Sequence, residues 1–356
     1  MTPLGPAATL GILGGGQLGR MLALEAGRLG FDVHVYCPEA DSPAARVAAR
    51  ETVGGWDEEA RLAAFAEACE VVTYEFENVP VAAAQAIERA GTPLRPGVAS
   101  LENSQDRLVE KGFLNRIGIE TVAYRAVETR DDLGGALAEL GGAAILKRRR
   151  EGYDGKGQAR LSGPADADAA WAVAGGAPCI LEALCPFERE VSVIAARGAD
   201  GAVAVWDPSE NDHEGGVLRT ARAPARIGDG TAQAARAACL RLIQQLDHVG
   251  VLALEFFVTP DGGVLANEFA PRVHNSGHWT PEACLTGQFE QHIRAIAGWP
   301  LRSTERVFDA EMTNYLGDAA CALPGAAPSG ASITLYGKRE SAPGRKMAHT
   351  VSVKPR

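Results

Sequence analysis

The segment that most restricts the fold lies near the start, where a strand, a glycine-rich turn, a helix and a second strand follow one another closely. ATLGIL is a short apolar run, GGGQLG is the turn, RMLALEAGRLG has apolar residues at helical spacing, and FDVHVYC alternates like a strand. Helix-like DEEARLAAFAEAC, strand-like EVVTYEF and helix-like VPVAAAQAIERAG come next. Strands that alternate with helices predict a parallel sheet covered by helices, up to about residue 100.

The glycine-rich turn has the spacing Gly14-x-Gly16-x-x-Gly19 between the first strand and its helix. Free N–H groups at a helix N-terminus favour an anion, so the turn is a candidate for phosphate binding. A nicotinamide dinucleotide also needs an acidic residue at the end of the second strand, where this chain has Cys37 and Pro38. Phosphate binding and a tight turn without a ligand both remain open, and nicotinamide binding is disfavoured.

A second glycine-rich stretch follows the first region. SLENSQDRLVEKGFLNRIG predicts one amphipathic helix, and GGAAILKRRREGYDGKGQARL predicts a strand, a loop and a strand. Lys147 ends the first of these strands, and Gly152, Gly155 and Gly157 lie in the loop with Lys156. Amides of such a loop can fold over phosphates, although it lacks the G-x-x-x-x-G-K-[ST] pattern of a P-loop. The alternative is an exposed basic hairpin tip.

A predicted hairpin, GVLALEFFVTPDGGVLANEFAPR, contains two facing carboxylates. If Asp261 and Gly262 form a two-residue turn, Glu255 lies directly opposite Glu268. Like charges placed opposite each other destabilise a sheet, and a divalent cation removes the conflict. Mg²⁺ prefers carboxylates together with substrate phosphates. The hairpin therefore predicts a magnesium site, unless both side chains point into water.

The segment EFAPRVHNSGHWT begins at Glu268 and has neither strand nor helix periodicity. Arg272 can bind an anion through two hydrogen bonds, and His274, Asn275 and Ser276 can bind a polar substrate or its phosphate. Alternatively, these side chains cap the backbone of their own loop. The position directly after the acidic pair favours a substrate site.

Two other polar stretches add to this picture. TYEFENVP places Glu75 and Glu77 at the C-terminal end of a predicted strand, the edge at which open α/β sheets bind ligands. YGKRESAPGRKMAH contains four basic residues: Lys338, Arg339, Arg345 and Lys346. On an acidic protein such a cluster indicates either an anionic ligand or a solvated charged loop.

Composition restricts the class of protein. A chain of 356 residues has room for two or three domains. Its net charge of −10 disfavours nucleic-acid binding. There is no run of about 18 apolar residues to span a membrane and no leader-like start, so a cytoplasmic protein is expected. The seven cysteines have no C-x-x-C spacing, which predicts buried thiols.

Together, GILGGGQLGRM, TYEFENV, DRLVEKGFL, ILKRRREGYDGKGQ, NEFAPRVHNSGHWT and PGRKMAH resemble the ATP-grasp superfamily, and within it the N5-carboxyaminoimidazole ribonucleotide synthetase family. The resemblance implies an α/β fold of three domains. They are a Rossmann-like parallel-sheet domain (1–103), an α+β ATP-grasp domain (104–298) and a small β-rich domain (299–356). The family pattern continues further past PGRK than this chain does, so a trimmed third domain is expected.

The resemblance also implies a reaction. ATP and Mg²⁺ activate bicarbonate as carboxyphosphate, and the amine of 5-aminoimidazole ribonucleotide is then carboxylated, with release of ADP and phosphate. Because carboxyphosphate is easily hydrolysed, a glycine-rich lid that excludes water is expected. A homodimer is implied, with small molecules as the substrates and no nucleic acid or membrane as a partner.

The resemblance implies roles for individual residues. The ATP site would comprise Arg107, Lys147, the loop from Gly152 through Tyr153, Asp154, Gly155, Lys156 and Gly157 to Gln158, the adenine edge Glu182, Ala183, Leu184 and Cys185, the ribose ligand Glu190 with His213 nearby, and Asn267 with Glu268. Glu255 and Glu268 would hold Mg²⁺. The ribonucleotide would contact Gln17, Leu18, Glu75, Asn275, Ser276 and Arg345. Tyr153, Asp154, Arg272, His274 and Lys338 would surround the reacting groups.

Two other functions compete with this one. A sister ATP-grasp ligase, which formylates glycinamide ribonucleotide or carboxylates biotin, would share Lys147, Glu255 and Glu268 but not the full RVHNSGHWT segment. A non-catalytic nucleotide-dependent scaffold would be favoured by the loss of a metal carboxylate, and both carboxylates are present. A dehydrogenase lacks support because nothing downstream supplies a hydride-transfer site.

Overall fold

The structure is a computed structural model that describes residues 2–152, 155 and 157–356. Tyr153, Asp154 and Lys156, to which the resemblance assigns roles, lie outside the described residues. No helix in the described part of the chain is long and apolar enough to cross a bilayer.

The first region forms the predicted parallel sheet. Its strands pair in the order β3-β2-β1-β4, and every pairing is parallel. The elements are β1 (Thr9–Leu13), α1 (Gln17–Arg28), β2 (Asp32–Cys37), β3 (Arg50–Val53), α2 (Glu59–Glu67), β4 (Val71–Tyr74) and α3 (Val81–Arg89). The carboxyl ends of β1 and β4 lie side by side, so the glycine turn after β1 meets the residues that follow β4.

The single helix predicted after this region is wrong, because the structure has two: α4 (Val98–Ser104) and α5 (Arg107–Arg116). Asp106 separates them in an extended conformation, with φ −127° and ψ 114°. Its carboxylate accepts hydrogen bonds from the N–H groups of Leu108 and Val109 at 3.0 and 3.4 Å. An aspartate N-cap of this kind starts a new helix. Because α5 does not continue α4, the directions of its side chains do not follow from the periodicity of α4.

A small antiparallel sheet follows, in the order β5-β8-β6-β7. Its strands are β5 (Tyr124–Val127), β6 (Ala144–Arg148), β7 (Gln158–Leu161) and β8 (Cys179–Ala183), and its helices are α6 (Asp132–Glu139) and α7 (Ala167–Val173). Apolar residues of both helices pack against the sheet. The predicted strand, glycine-rich loop and strand are confirmed as β6, the loop and β7.

The largest sheet runs in the order β14-β13-β9-β11-β12-β15-β17-β16, with β10 paired to β9. Its strands are β9 (Arg189–Arg197), β10 (Val203–Val205), β11 (Ser209–Glu214), β12 (Val217–Ala223), β13 (Gly250–Val258), β14 (Val264–Ala270), β15 (Phe308–Leu316), β16 (Ser332–Leu335) and β17 (Lys346–Pro355). The helices of this part are α8 (Asp229–Gln245), α9 (Thr280–Ala283), α10 (Gln288–Ile296) and α11 (Leu323–Ala326). Because β15 pairs with β12, the C-terminal strands extend this sheet.

Each face of the large sheet has its own hydrophobic core. Leu252 and Leu254 of β13 pack in the core formed with α8, whereas Val251 and Ala253 pack in the core formed with α1 and α10. Successive side chains of a strand point to opposite faces, so Glu255 points to the same face as Val251 and Ala253. That alternation directs this carboxylate toward the segment that follows β14.

Two buried histidines connect the first region to the large sheet. His248 Nδ1 lies 3.0 Å from Ser100 Oγ, and its Nε2 lies 3.1 Å from the carbonyl oxygen of Val251. The N–H of Val251 donates to His292 Nδ1 at 3.1 Å, and His292 Nε2 lies 2.9 Å from Thr73 Oγ1. Burial lowers the pKa of both rings to about 3. Both histidines are therefore neutral in the folded protein.

This arrangement predicts an acid-sensitive fold. The pKa of each histidine is lower in the folded than in the unfolded chain, so the unfolded chain binds more protons between pH 6.5 and 3. Above pH 6.5 the two histidines should not reduce the free energy of unfolding. Below pH 6.5 this free energy should fall by about 1.4 kcal/mol per pH unit for each histidine. Urea unfolding from pH 7.5 to 4.5 measures this slope. His292→Asn keeps an acceptor for Val251 and should make the slope shallower; equal slopes would contradict the prediction.

Candidate functional site

The hairpin that carries the two glutamates has a three-residue loop, so the predicted two-residue turn is wrong. The N–H of Thr259 donates to the carbonyl oxygen of Gly263 at 3.0 Å, and the N–H of Gly262 donates to Thr259 O at 2.8 Å. Gly262 has φ +83°, as the last position of such a loop requires. Next to the loop, the pairing of β13 with β14 is therefore shifted by one residue from the predicted pairing, with Val258 opposite Val264.

A bulge then restores the predicted register. The pairing of β13 with β14 shifts between Leu254 and Phe256, so Glu255 faces the bulged pair Asn267 and Glu268 rather than Glu268 alone. A bulge places one residue opposite two and changes the direction of their side chains. The acidic pair predicted from the sequence is thus present, with an amide beside it.

The chemistry of these three side chains fits a magnesium ion. Removal from bulk water and the negative charge of Glu268 raise the pKa of Glu255. Asn267 Oδ1 is buried and, within the described residues, has no hydrogen-bond partner. Carboxylate and amide oxygens are ligands that Mg²⁺ accepts, and the ion usually takes its other ligands from substrate phosphates and water. Within the described residues, no group of three or more His, Cys, Asp or Glu side chains that could bind a metal occurs.

One turn of α5 faces this acidic pair. The guanidinium of Arg107 forms an ion pair with Glu268 and donates to the carbonyl oxygen of Gly152 at 3.3 Å. Glu110 Oε1 accepts a hydrogen bond from the N–H of Phe269 at 2.6 Å. Burial works against ionisation of Glu268, but the charges of Arg107 and then Lys147 lower its pKa. Arg107 is thus placed between the metal candidates and the start of the glycine-rich loop.

Behind this turn lies a buried charge cluster formed by Lys111, Lys147 and Glu182. Lys147 Nζ donates to Glu182 Oε2 at 2.8 Å, and Lys111 Nζ lies 3.4 Å from Glu182 Oε1. Lys111 Nζ also donates to the carbonyl oxygen of Asn267 at 3.0 Å. Burial opposes ionisation of Glu182, but the two lysines lower its pKa. The cluster therefore holds the Lys147 ammonium in a position from which its charge acts on Glu268.

Glu190 and His213 lie together on neighbouring strands, as expected. His213 Nδ1 is 2.8 Å from Glu190 Oε2. Burial opposes protonation of His213, but the nearby carboxylate of Glu190 and the charge of Glu255 raise its pKa. In the glycine-rich loop, Gly155 has φ +75°, and a Cβ there would lie 3.0 Å from the carbonyl oxygen of Gly215. The loop therefore approaches the β11–β12 turn, next to Glu190 and His213.

The glycine turn after β1 binds a carboxylate of its own chain. The N–H of Gly16 donates to Glu75 Oε1 at 2.9 Å, and the N–H of Gly19 donates to Glu75 Oε2 at 3.3 Å. Phosphate binding at these amides is not supported, because Glu75 uses the groups that a phosphate would need. Gln17 and Leu18 at the start of α1 line the cleft described below.

A substitution tests the packing of Glu75 in the turn. A Cβ at Gly16 would lie 2.6 Å from Glu75 Oε1, so Gly16→Ala should displace the carboxylate and reduce the free energy of unfolding by about 1–3 kcal/mol. Gly27 lies on the same helix, and a Cβ added there would meet no atom within 4 Å, so Gly27→Ala should be neutral or stabilising by up to about 1 kcal/mol. Chemical denaturation compares the two variants. Equal stabilities would contradict the role of Glu75.

The segment after β14 completes the cleft. Arg272 pairs with Glu77 and donates to its neighbour Val273 O at 3.0 Å. His274 Nδ1 accepts from the N–H of Ser276 at 3.3 Å, and its Nε2 lies 3.5 Å from Glu255 Oε1. Burial lowers the pKa of His274 to about 3, so the ring is neutral, with its proton on Nε2. Ser276 is fully buried behind His274.

Asn275 distinguishes the two interpretations of this segment. The side chain of His274 does cap its own loop, by accepting from the N–H of Ser276, as the alternative predicted. Both amide atoms of Asn275 are buried, however, and within the described residues neither has a hydrogen-bond partner. Asn275 lines the same cleft as Arg107, Glu255, Glu268, Arg272 and His274. A buried amide without a partner at a cleft wall favours a polar ligand there.

Three family models match the chain. The ribonucleotide synthetase preATP-grasp domain matches residues 7–105, the ATP-grasp domain residues 112–289, and the phosphoribosylaminoimidazole carboxylase C-terminal domain residues 310–355. The N5-carboxyaminoimidazole ribonucleotide synthase of Brucella melitensis is 52% identical over 358 residues, which cover 100% of this chain and 99% of that relative. The chain belongs to the N5-carboxyaminoimidazole ribonucleotide synthase family.

Solved structures of this family share the fold. An ADP complex of an N5-carboxyaminoimidazole ribonucleotide synthetase is 41% identical, with a TM-score of 0.96, covering 99% of this chain and 94% of that chain. A synthase of Aspergillus clavatus in complex with ADP and 5-aminoimidazole ribonucleotide is 30% identical, with a TM-score of 0.91, covering 98% of this chain and 94% of that chain. The ATP-grasp fold expected from the sequence is confirmed.

In this member of the N5-carboxyaminoimidazole ribonucleotide synthase family, the basic residues near the C-terminus separate. Lys338 Nζ donates to the carbonyl oxygen of Lys346 at 2.6 Å, and Lys346 lines the cleft. Arg339 instead pairs with Asp41 at 2.5 Å. Arg345 is exposed and donates to a nearby backbone carbonyl, outside the cleft. The structure therefore brings Lys346 to the cleft, with Lys338 bonded to its backbone, and leaves the two arginines away from it.

Several residues predicted for the site do not line the cleft. Those assigned to ATP are Lys147, Glu182 to Cys185, Glu190, His213 and Asn267, and those assigned to the ribonucleotide or the reacting groups are Glu75, Ser276, Lys338 and Arg345. Their roles stay predictions, and the positions of Glu75 and Arg345 do not favour direct contact. Sequence reasoning missed Glu110 and Lys111, although their spacing of three and four residues from Arg107 predicts one helix face. It also assigned no role to His278, which lines the cleft.

Proposed function

We propose that this chain carboxylates the amine of 5-aminoimidazole ribonucleotide, using ATP and bicarbonate. The γ-phosphoryl group of ATP would pass to a bicarbonate oxygen, giving ADP and carboxyphosphate. The amine would then bond to the carboxyl carbon, directly or after CO₂ is released, with loss of phosphate and of one amine proton. The observation that carries the proposal is a single cleft that combines the Glu255–Glu268 pair with the Arg272–Asn275 segment.

The residues of the cleft divide this work between them. Phosphoryl transfer mainly requires positioning and neutralisation of charge, which Arg107 and Lys147 can provide beside Glu268. Glu255, Glu268 and Asn267 would hold Mg²⁺, which supplies positive charge at the phosphates. Arg272 is held by Glu77 and faces the cleft as a fixed cation.

Besides its charged groups, the cleft has two neutral side chains that can hydrogen-bond to a substrate. Because the neutral His274 ring has its proton on Nε2, it can donate a hydrogen bond without delivering a proton to the amine. The amide of Asn275, which has no hydrogen-bond partner among the described residues, can bind a sugar or phosphate oxygen. Tyr153, Asp154 and Lys156 are assigned to the lid by the resemblance and lie outside the described residues. Their roles are part of the proposal.

The proposal extends to domains and assembly. The domains would be residues 1–103, 104–298 and 299–356, in line with family models that match residues 7–105, 112–289 and 310–355. We also propose a homodimer and a cytoplasmic location, as expected for an enzyme of nucleotide synthesis.

ADP release tests the function directly. The protein is supplied with ATP, Mg²⁺ and bicarbonate, with and without 5-aminoimidazole ribonucleotide. Strong stimulation by the ribonucleotide is expected, together with one carboxylated product per ADP. ATP binding without stimulation would overturn the proposal in favour of a sister ligase with another acceptor. Chelation of Mg²⁺ should abolish release, and restored Mg²⁺ should recover it.

A further inference from the structure

The first residue of α10, Gln288, is a fully buried glutamine that holds the segment after β14. Its Oε1 accepts from the N–H of His274 at 2.8 Å. Its Nε2 donates to the carbonyl oxygen of His274 at 2.7 Å and lies 3.2 Å from His278 Nδ1. Because a backbone N–H can only donate and a carbonyl can only accept, these bonds fix which end of the amide is oxygen. The amide nitrogen therefore faces His278 Nδ1.

That contact decides the tautomer of His278. Since the amide N–H of Gln288 donates to Nδ1, a neutral His278 ring must have its proton on Nε2. Burial lowers the pKa of His278 well below its usual value, so the ring is neutral. Among the described residues no group is hydrogen-bonded to Nε2, and His278 lines the cleft. The open N–H is therefore available to a ligand.

The ring is also fixed in orientation. It stacks on His349 with ring centroids 4.6 Å apart and lies 5.6 Å from the ring of Phe289. His349 is itself held by the hydroxyl of Tyr336, 3.0 Å from Nδ1. The glycine before His278 is required here, because a Cβ at Gly277 would lie 2.7 Å from Gln288 Oε1. With only 2% of His278 exposed, just the edge of the ring reaches the cleft.

We propose that Gln288 and His278 form a fixed hydrogen-bond donor of the substrate cleft. Gln288 is a positioning residue, and the Nε2–H of His278 binds an anionic oxygen of a substrate, on a phosphate or a carboxyl group. Arg272 and Lys346 line the same cleft, and cationic side chains favour an anion there. A neutral N–H stabilises such an oxygen without transferring a proton to it. The identity of the substrates rests on the proposed function.

Two substitutions separate the hydrogen bond from the packing of the ring. His278→Leu removes the donor, and His278→Gln retains an N–H at a similar distance from the backbone. For His278→Leu we expect the KM of one substrate to rise about tenfold to a hundredfold, with the KM for ATP unchanged. His278→Gln should raise that KM less than His278→Leu does, because it retains a donor. A rise in the KM for the ribonucleotide indicates that the oxygen belongs to its phosphate, and a rise for bicarbonate indicates the carboxyl group.

Nitrogen NMR of the wild-type protein tests the tautomer without depending on turnover. The resonances of His278, assigned by comparison with His278→Gln, should show an unprotonated Nδ1 and a protonated Nε2. A protonated Nδ1 would overturn the inference. So would a folded His278→Leu variant with wild-type kcat and KM values. If wild-type ADP release is not stimulated by the ribonucleotide, the proposed function fails instead, and the tautomer is still decided by NMR.

Discussion

Replacing Glu268 by glutamine should lower kcat by a hundredfold to a thousandfold, on the order expected when charge stabilisation of a phosphoryl transfer is lost. The carboxylate pairs with Arg107 and, with Glu255, forms the candidate magnesium site. An amide keeps the size of the side chain but removes the negative charge that Arg107 and the magnesium ion would both pair with. Steady-state ADP release at saturating ATP and ribonucleotide measures the effect.

The fold of the Glu268→Gln variant should survive. The substitution removes the ion pair with Arg107. Burial and then repulsion by Glu268 raise the pKa values of Glu255 and Glu110, and the substitution also removes that repulsion. These two changes oppose each other in the free energy of unfolding. Glu282→Gln is the matched control, since Glu282 is exposed on α9. Turnover at the wild-type rate in Glu268→Gln would remove the metal role assigned to this residue.

Replacing Glu182 by leucine should reduce the free energy of unfolding by about 3–5 kcal/mol. The variant would leave Lys111 and Lys147 near each other, away from water and without the carboxylate that both approach. Removing one partner of a buried ion pair leaves an uncompensated charge, which costs more than the pair contributes. Urea denaturation near neutral pH measures the loss.

A second substitution and a surface pair make this test specific. Adding Lys111→Met to Glu182→Leu removes one of the two stranded charges, so the double variant should be more stable than Glu182→Leu alone. Arg125 and Glu139 form an exposed ion pair at 2.5 Å, and Glu139→Leu should cost no more than about 1 kcal/mol. If Glu182→Leu costs no more than Glu139→Leu, the buried charge cluster does not exist in solution.

The sequence predicted the acidic pair because a hairpin and two glutamates are visible in it. Two local features were not visible, namely the three-residue loop that includes Pro260 and the bulge at Asn267 and Glu268. The loop shifts the register by one residue and the bulge shifts it back. Glu255 therefore stays beside Glu268 through two departures that offset each other. The right neighbours were predicted for an incomplete reason.

Features that depend on distant parts of the chain could not be predicted. The strand predicted in TYEFENVP placed Glu75 at the ligand-binding edge of the sheet, but only the folded structure shows that it accepts hydrogen bonds from Gly16 and Gly19. Similarly, Lys111 can be assigned to a helix face, whereas its approach to Glu182 joins residues far apart in sequence. Local pattern determines elements, and tertiary packing determines which charges meet.

The carboxylate in the glycine turn has a consequence for inhibition. A free phosphate or dinucleotide would have to compete with an anion that belongs to the same chain and never diffuses away. Attachment of this kind corresponds to a very high effective concentration, commonly in the millimolar range even for flexible tethers. The first domain should thus be insensitive to cellular dinucleotides at this turn, in spite of its glycine pattern.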